Sequence, residues 1–235
     1  MTELVSIRAG DGVATVTLER PEKRNALSID LRVELADRLR EVGDDEDVGC
    51  VVLTGAGSAF CAGMDLTQFG GDAAHKRRLA ETSTGVFEAV GASAKPLIAA
   101  VNGPALAGGF ALAMLCDMRI ASPSATFGFP ELPIGIPPSY ASVRNAVAPG
   151  VAAEISLTGR VFGAEEALRL GVVNEVTGDD GHGALERSLA VAAAIAAAPR
   201  AATLETKRRI LADRRASIGH LLEDEGRIFR EALGI

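Results

Sequence analysis

Hydrophobic and polar positions along the chain change period several times, and each change predicts an element. "VSIRAGDGVATVTLER" alternates with period two on both sides of Gly10-Asp11-Gly12, which predicts two strands around a tight turn. "RPEKRNALS" has no period and reads as a loop. "SIDLRVELADRLREV" repeats its apolar residues at helical spacing, with Ser28 placed to cap the helix. "GCVVLTG" is short and almost wholly apolar, as a strand buried on both faces would be. "AGSAFCAGMDL" is rich in small residues, and a helix is expected to start near Asp65.

The order then recurs. "PLIAAV" predicts a buried strand, "NGPALAGG" a small-residue loop and "FALAMLCD" a helix. "MRIAS" and "ATFGFPE" predict short strands, and "SYASVRNAVA" a helix. "EISLTGRVFGAEEALRLGVVNEV" predicts one helix, with Ala164-Glu165-Glu166 in its first turn, and a closing strand. From about Ser188 the pattern is helical to the end, interrupted at Pro199. No strict repeat is present, but strand-strand-helix units recur loosely. The expectation is a layered or spiral α/β core over residues 1–187 and a helical C-terminal region over residues 188–235.

Composition narrows the class. The chain has 235 residues, 48% of them hydrophobic, enough for a sizeable core. Its net charge of −7 argues against general nucleic-acid binding, which needs a basic face. Lys76-Arg77-Arg78 and Lys207-Arg208-Arg209 are the dense basic spots, read either as solvated helix faces or as contacts for the phosphates of a small ligand. Three cysteines, Cys50, Cys61 and Cys116, form no C-x-x-C pair, which argues against a disulfide framework and a metal site. With no apolar leader after Met1, this favours a cytoplasmic setting. The uncharged run from Pro96 to Cys116 is long enough to span a bilayer, but Asn102-Gly103-Pro104 divides it into a strand and a helix, and no membrane span is expected.

Two places combine a strand, a glycine loop and a helix start: Ala62-Gly63-Met64-Asp65 and Ala107-Gly108-Gly109. The first N–H groups of a helix lack internal partners and carry partial positive charge. Glycine lets a ligand approach such backbone closely. Two donors converging on one carbonyl oxygen would form an oxyanion hole. The same glycines would also serve close helix-to-strand packing, and both readings stand. Glu131 is surrounded in sequence by Phe127, Phe129, Pro130, Leu132, Pro133 and Ile134. In apolar company a carboxyl gains a raised pKa, which suits proton transfer near neutral pH. Alternatively it points to solvent or bonds loop amides. His75, His182 and His220 fall outside these stretches, so nothing anchors a Ser-His-Asp or metal reading. Dinucleotide, P-loop and hydrolase-elbow signatures are absent.

Taken together, "RPEKRNALS", "LTGAGSAFCAGMDL", "AAVNGPALAGGFALAMLCDMRIA" and "FGFPELPIGI" resemble the enoyl-CoA hydratase/isomerase, or crotonase, family from about Val13 to Arg230. The resemblance implies a crotonase-like α/β spiral of strand-strand-helix units with a C-terminal helical trimerisation region. It implies an acyl-CoA thioester as substrate and a homotrimer or hexamer. No separate cofactor is implied, because coenzyme A is part of the substrate. The oxyanion-hole amides map to Met64 and Gly108, and a catalytic acid to Glu131. The substrate-binding positions map to Arg24, Ala26, Ala62, Asp65, Leu66, Gly109 and Ala111.

The chain also departs from the family pattern. The first of the two glutamates that hold water in family hydratases maps to Ala111, so a two-acid hydration site is incomplete. One acid suffices for a 1,3-proton shift, and the reading favours Δ3-Δ2 enoyl-CoA isomerisation through Glu131. Hydration at an atypical site, decarboxylation, thioester hydrolysis and non-catalytic acyl-CoA binding are the alternatives. Pro137-Pro138 stiffens a loop that is glycine-rich in many hydratases, and Ser139 or Tyr140 either faces the acyl tail or packs the loop. Asp65 and Asp117 read as a helix cap and a loop anchor.

Overall fold

A computed structural model of the chain describes residues 3–178 and 183–235; His182 lies outside them. β1 (Val5–Gly10) and β2 (Val13–Leu18) pair antiparallel. Between them Asp11 and Gly12 both take positive φ, 50° and 77°, as a two-residue hairpin turn requires. α1 (Ile29–Asp44) follows; Ser28 Oγ accepts from the Leu31 N–H at 3.2 Å and caps it.

β3 (Cys50–Gly55) is buried throughout, and so is β4 (Leu97–Val101). Their side chains alternate between two cores. Val51, Leu53, Leu97, Ala99 and Val101 enter the main core, while Cys50, Val52, Ile98 and Ala100 face the other way. That explains why these strands show no polar alternation. α2 (Ala73–Gly91), β5 (Ala105–Leu106), α3 (Gly108–Leu115), β6 (Met118–Ala121), β7 (Thr126–Gly128) and α4 (Tyr140–Arg144) continue the chain. Then come α5 (Pro149–Thr158), β8 (Val161–Gly163), α6 (Ala164–Leu170), β9 (Glu175–Val176), α7 (Gly183–Ala196) and α8 (Arg200–Ala232).

Six strands form one sheet in the order β1-β2-β3-β4-β6-β9, parallel after the first pair. β5, β7 and β8 form a second, smaller sheet. Single bridges extend this second layer: Cys61 pairs with Ala105, and Leu27 with Met64. Each turn of the chain therefore runs through the large sheet, crosses the second layer and returns by a helix. β4-β5-α3 and β6-β7-α4 are complete turns; in β2-Leu27-α1 and β3-Cys61-α2 a single bridging residue replaces the second strand. This is the expected α/β spiral.

Four boundaries differ from the sequence expectation. After Asp65 comes only a 3-10 turn (Leu66–Gln68); Gly70 and Gly71, both at positive φ, stop it, and α2 starts after the Asp72 cap. α3 begins at Gly108, not Phe110, because its first turn is made of the glycines themselves. The expected helix starts at Ala164 as read, but a further helix, α5, precedes it and ends at Gly159, left-handed at φ 62°. α7 begins at Gly183, so the division after residue 187 falls inside a helix. Ala192 of α7 completes the second core with Val13, Cys50, Val52, Ile98, Ala100 and Ile120. Among the described residues, no helix is long and apolar enough to cross a membrane.

Candidate active site

The two glycine-bearing segments lie side by side where the second layer is crossed. Leu27 donates to Gly63 O at 2.8 Å, and Asp65 donates back to Leu27 O at 3.3 Å. Cys61 donates to Pro104 O at 3.1 Å and accepts from Leu106 at 3.0 Å. A Cβ built on Gly63, whose φ is 97°, would stand 2.7 Å from Ala107 Cβ and 3.3 Å from Gly108 N. Ala107 itself takes φ 51° and ψ −126°, a strained backbone for a residue with a Cβ. Its N–H donates to Gly128 O at 2.8 Å, so the pairing of β5 with β7 holds the strain. The strained turn places Gly108 at the first position of α3. Among the described residues, neither the Met64 nor the Gly108 N–H has an acceptor in the chain.

The neighbouring glycines have different causes. A Cβ on Gly109 would lie 2.1 Å from Cys61 O, so packing alone demands glycine there. A Cβ on Gly108 would have Leu27 Cδ1, Phe87 Cζ and Met64 Cγ as its nearest neighbours at 3.4–3.6 Å, ordinary contact. Chain packing does not explain Gly108. The bare backbone leaves its N–H open to close approach from outside the chain.

The loop from Arg20 to Ser28 is fastened to the same crossing. Arg24 (φ 49°) accepts from the Ala62 N–H at 2.9 Å, and Arg20 binds Ala26 O at 2.6 Å and Asp65 Oδ2 at 3.1 Å. Buried Asn25 donates to the carbonyls of Ala56 and Ala59. Arg24, Ala26, Ala62 and Leu66 thus share one rim: Arg24 and Leu66 are exposed, Ala26 and Ala62 half-buried. Asp65 caps the 3-10 turn by accepting from Thr67, and its carboxyl is held below the usual range. Burial opposes that shift; the Thr67 and Arg20 bonds produce it.

Glu131 follows β7, three residues beyond the Gly128 carbonyl that braces Ala107. Its Oε2 is buried without a partner. Burial pushes its pKa up to about 7, against a smaller lowering by its own backbone. Ala111, 2% exposed, sits in the first turn of α3 and offers only a methyl group. Phe110, beside it, packs on Phe129 and Phe127 with ring centroids 5.0 and 5.8 Å away. These rings carry the segment that leads into Glu131.

A cleft of about 360 Å3 opens between Leu66 and Phe69, the Ile134–Ile136 loop, Phe229 of α8 and Leu233 just beyond it. Tyr140 is not on it. Tyr140 lines a second cleft, of about 510 Å3, on the other side of that loop. Ser139 is engaged in loop packing: its hydroxyl donates to Glu225 Oε2 of α8 at 2.7 Å. The basic run on α8 divides. Lys207 is buried against Asp117 at 2.6 Å, while Arg208 and Arg209 are exposed and pair with Glu205. Burial pushes the thiols of Cys50, Cys61 and Cys116 to about 12, which makes them inert.

Sequence reasoning passed over two charged residues near the site, Arg32 and Glu225. Arg32 had a visible signal. It lies one residue after Leu31 and three before Leu35, on the apolar stripe of α1, and it is fully buried. Glu225 had none, since its partners are far away in sequence.

Comparison with known proteins gives the family. The family model described as enoyl-CoA hydratase/isomerase matches residues 8–232. The chain is 40% identical to the hydroxycinnamoyl-CoA hydratase-lyase of Pseudomonas fluorescens over 73% of its own length and 65% of that protein. It is 36% identical to a probable enoyl-CoA hydratase of Rhizobium meliloti over 97% of its length and 89% of that protein. A crystal structure of an enoyl-CoA hydratase/isomerase from Xanthobacter autotrophicus Py2 superposes with a TM-score of 0.91 at 33% identity, covering 99% of this chain and 88% of that one. By its family-model match, sequence and fold, the chain belongs to the enoyl-CoA hydratase/isomerase family.

Proposed function

We propose that the chain binds an acyl-CoA thioester and moves protons on its acyl group with a single carboxyl. The thioester oxygen is taken by the free N–H groups of Met64 and Gly108. Withdrawing electrons onto that oxygen acidifies the carbon next to the carbonyl and stabilises an enolate. Arg24, Ala26, Ala62 and Leu66 form the rim along which coenzyme A lies. Glu131 removes a proton from C2 of a 3-enoyl-CoA; the electron pair moves into the thioester, and the proton returns at C4 as C2=C3 forms. The observation that carries this reading is the pairing of one orphaned buried carboxyl, with its pKa raised to about 7, with an alanine at position 111.

Hydration through Glu131 alone is the second reading, favoured because both relatives named above are called hydratases. Incubation with a 3-enoyl-CoA and, separately, a trans-2-enoyl-CoA separates the two. A double-bond shift without gain of mass is the expected result. Gain of one water by the 2-enoyl ester, with no shift in the other, sinks the isomerase reading. Glu131→Gln is expected to lose about 10²–10⁴-fold in turnover while still binding the ester. Assembly into trimers or hexamers is part of the same proposal, checked by a light-scattering mass of three or six times 24.2 kDa.

A further inference from the structure

Arg32 is the largest fully buried side chain of the molecule's described residues, and it carries a charge. Its Nε donates to Ser28 O at 3.3 Å and its Nη1 to Leu79 O at 2.9 Å, so it bridges α1 and α2. Its Nη2 is buried and has no partner. Among the described residues, no carboxylate stands within ion-pair distance of it. The negative charge that favours its ionised form is that of Asp65, which already accepts two bonds from Arg20 and two from Thr67. Arg20 therefore balances Asp65, and the charge of Arg32 is left over. Burial lowers its pKa only to about 10, so it stays protonated at neutral pH.

A buried charge without a counter-charge is costly, and an apolar side chain of similar volume is often the more stable choice. Such an expense calls for a use in the working protein. The position supplies one. Nη1 lies 3.9 Å from Met64 Sδ, and Met64 Cγ lies 3.6 Å from where a Cβ on Gly108 would be. The guanidinium thus sits directly behind the side chain of one amide donor and one side chain away from the other. In a dry interior a charge acts over such distances with little screening.

We propose that Arg32 is a remote electrostatic group whose missing counter-charge is the negative oxygen that develops on the bound thioester. It touches neither substrate nor reacting atoms. It acts through the field behind the Met64 and Gly108 amides. A neutral ground state gains little from that field, and an enolate gains much. This rests on the acyl-CoA reading given above.

The test uses acetoacetyl-CoA, a β-ketoacyl thioester whose enolate is seen directly by ultraviolet absorbance. Its ionisation is titrated while bound to the wild-type chain, to Arg32→Met and to Arg32→Lys. The apolar variant is expected to fold with undiminished stability, to bind the ester, and to raise the pH at which the bound enolate forms by about one unit. Turnover of a substrate thioester is expected to fall about tenfold in kcat with little change in KM. Arg32→Lys, which keeps the charge, is expected to recover most of both effects. A purely structural role would make both variants unstable and leave the enolate titration unmoved in whatever protein folds. Equal enolate titrations in Arg32→Met and wild type overturn the proposal. Failure of the wild-type chain to bind acetoacetyl-CoA at all would instead overturn the acyl-CoA reading itself.

Discussion

Glu131 shows how one residue's surroundings set its chemistry. Its carboxyl has lost water and gained no partner, so its neutral form is favoured. The sign of the linkage follows. Between the ordinary glutamate value and about 7 the folded chain binds more protons than the unfolded one, so this residue's contribution to stability falls as pH rises through that window. Glu131→Gln has no charge to bury. It is expected to be more stable than wild type by about 1–3 kcal/mol above pH 7, with the difference vanishing towards pH 4. Denaturant unfolding at pH 4 and pH 8 checks this; an equal difference at both would place the cost elsewhere. As a base, the same group must be ionised, so wild-type turnover is expected to fall as pH drops below about 7.

At the scale of the element, α3 gives two adjacent glycines opposite assignments. Gly109 is fixed by the Cys61 carbonyl, and Gly108 is free of any such contact. Gly108→Ala is expected to fold as well as wild type, since alanine favours a helix by about 1 kcal/mol over glycine. Its methyl group should nevertheless crowd the bound carbonyl and cut turnover by at least tenfold. Gly109→Ala is expected to lose several kcal/mol of stability or fail to fold, because backbone must move. Thermal unfolding and turnover measured on both variants test the pair. Loss of stability in Gly108→Ala, with activity retained per folded molecule, would return that glycine to a packing role.

At the scale of the whole molecule, one carboxyl gathers several of the bonds that hold α8 to the spiral. Asp117 accepts from Lys207 at 2.6 and 2.7 Å, from Arg214 at 3.2 Å and from the Leu97 N–H at 2.8 Å. Arg214 also donates to Gly91 O and Asn145 Oδ1, so it links α2, α4 and α8. The sequence reading of Asp117 as a loop anchor was therefore too local: it anchors the C-terminal helix. Asp117→Asn leaves Lys207 and Arg214, 2% and 7% exposed, as buried cations without their counter-charge. A loss of about 3–5 kcal/mol is expected in equilibrium unfolding. A change within about 0.5 kcal/mol would mean that water replaces the carboxylate.

The sequence by itself determined most of the strands and helices and the spiral class, and it marked the candidate residues of the site; β5, expected as loop, and β8 came only with the structure. These are legible because period, capping and turn chemistry are local. Ser28 caps α1 whatever lies beyond it, and alternation in β2 reports the sheet directly. The glycine segments and Glu131 stand out because small residues and a lone acid contrast with apolar neighbours. Their convergence was decided elsewhere. Single bridges at Cys61 and Leu27, and the Gly128 carbonyl behind Ala107, bring Met64 and Gly108 together across a gap in sequence. Only that packing separates the duties of Gly108 and Gly109, splits the basic run of α8 into a buried lysine and two exposed arginines, and leaves Arg32 buried with its Nη2 unpartnered and, among the described residues, no carboxylate in ion-pair contact. The reason is that burial and pairing are properties of the space around a group, and that space is filled by residues from distant parts of the chain.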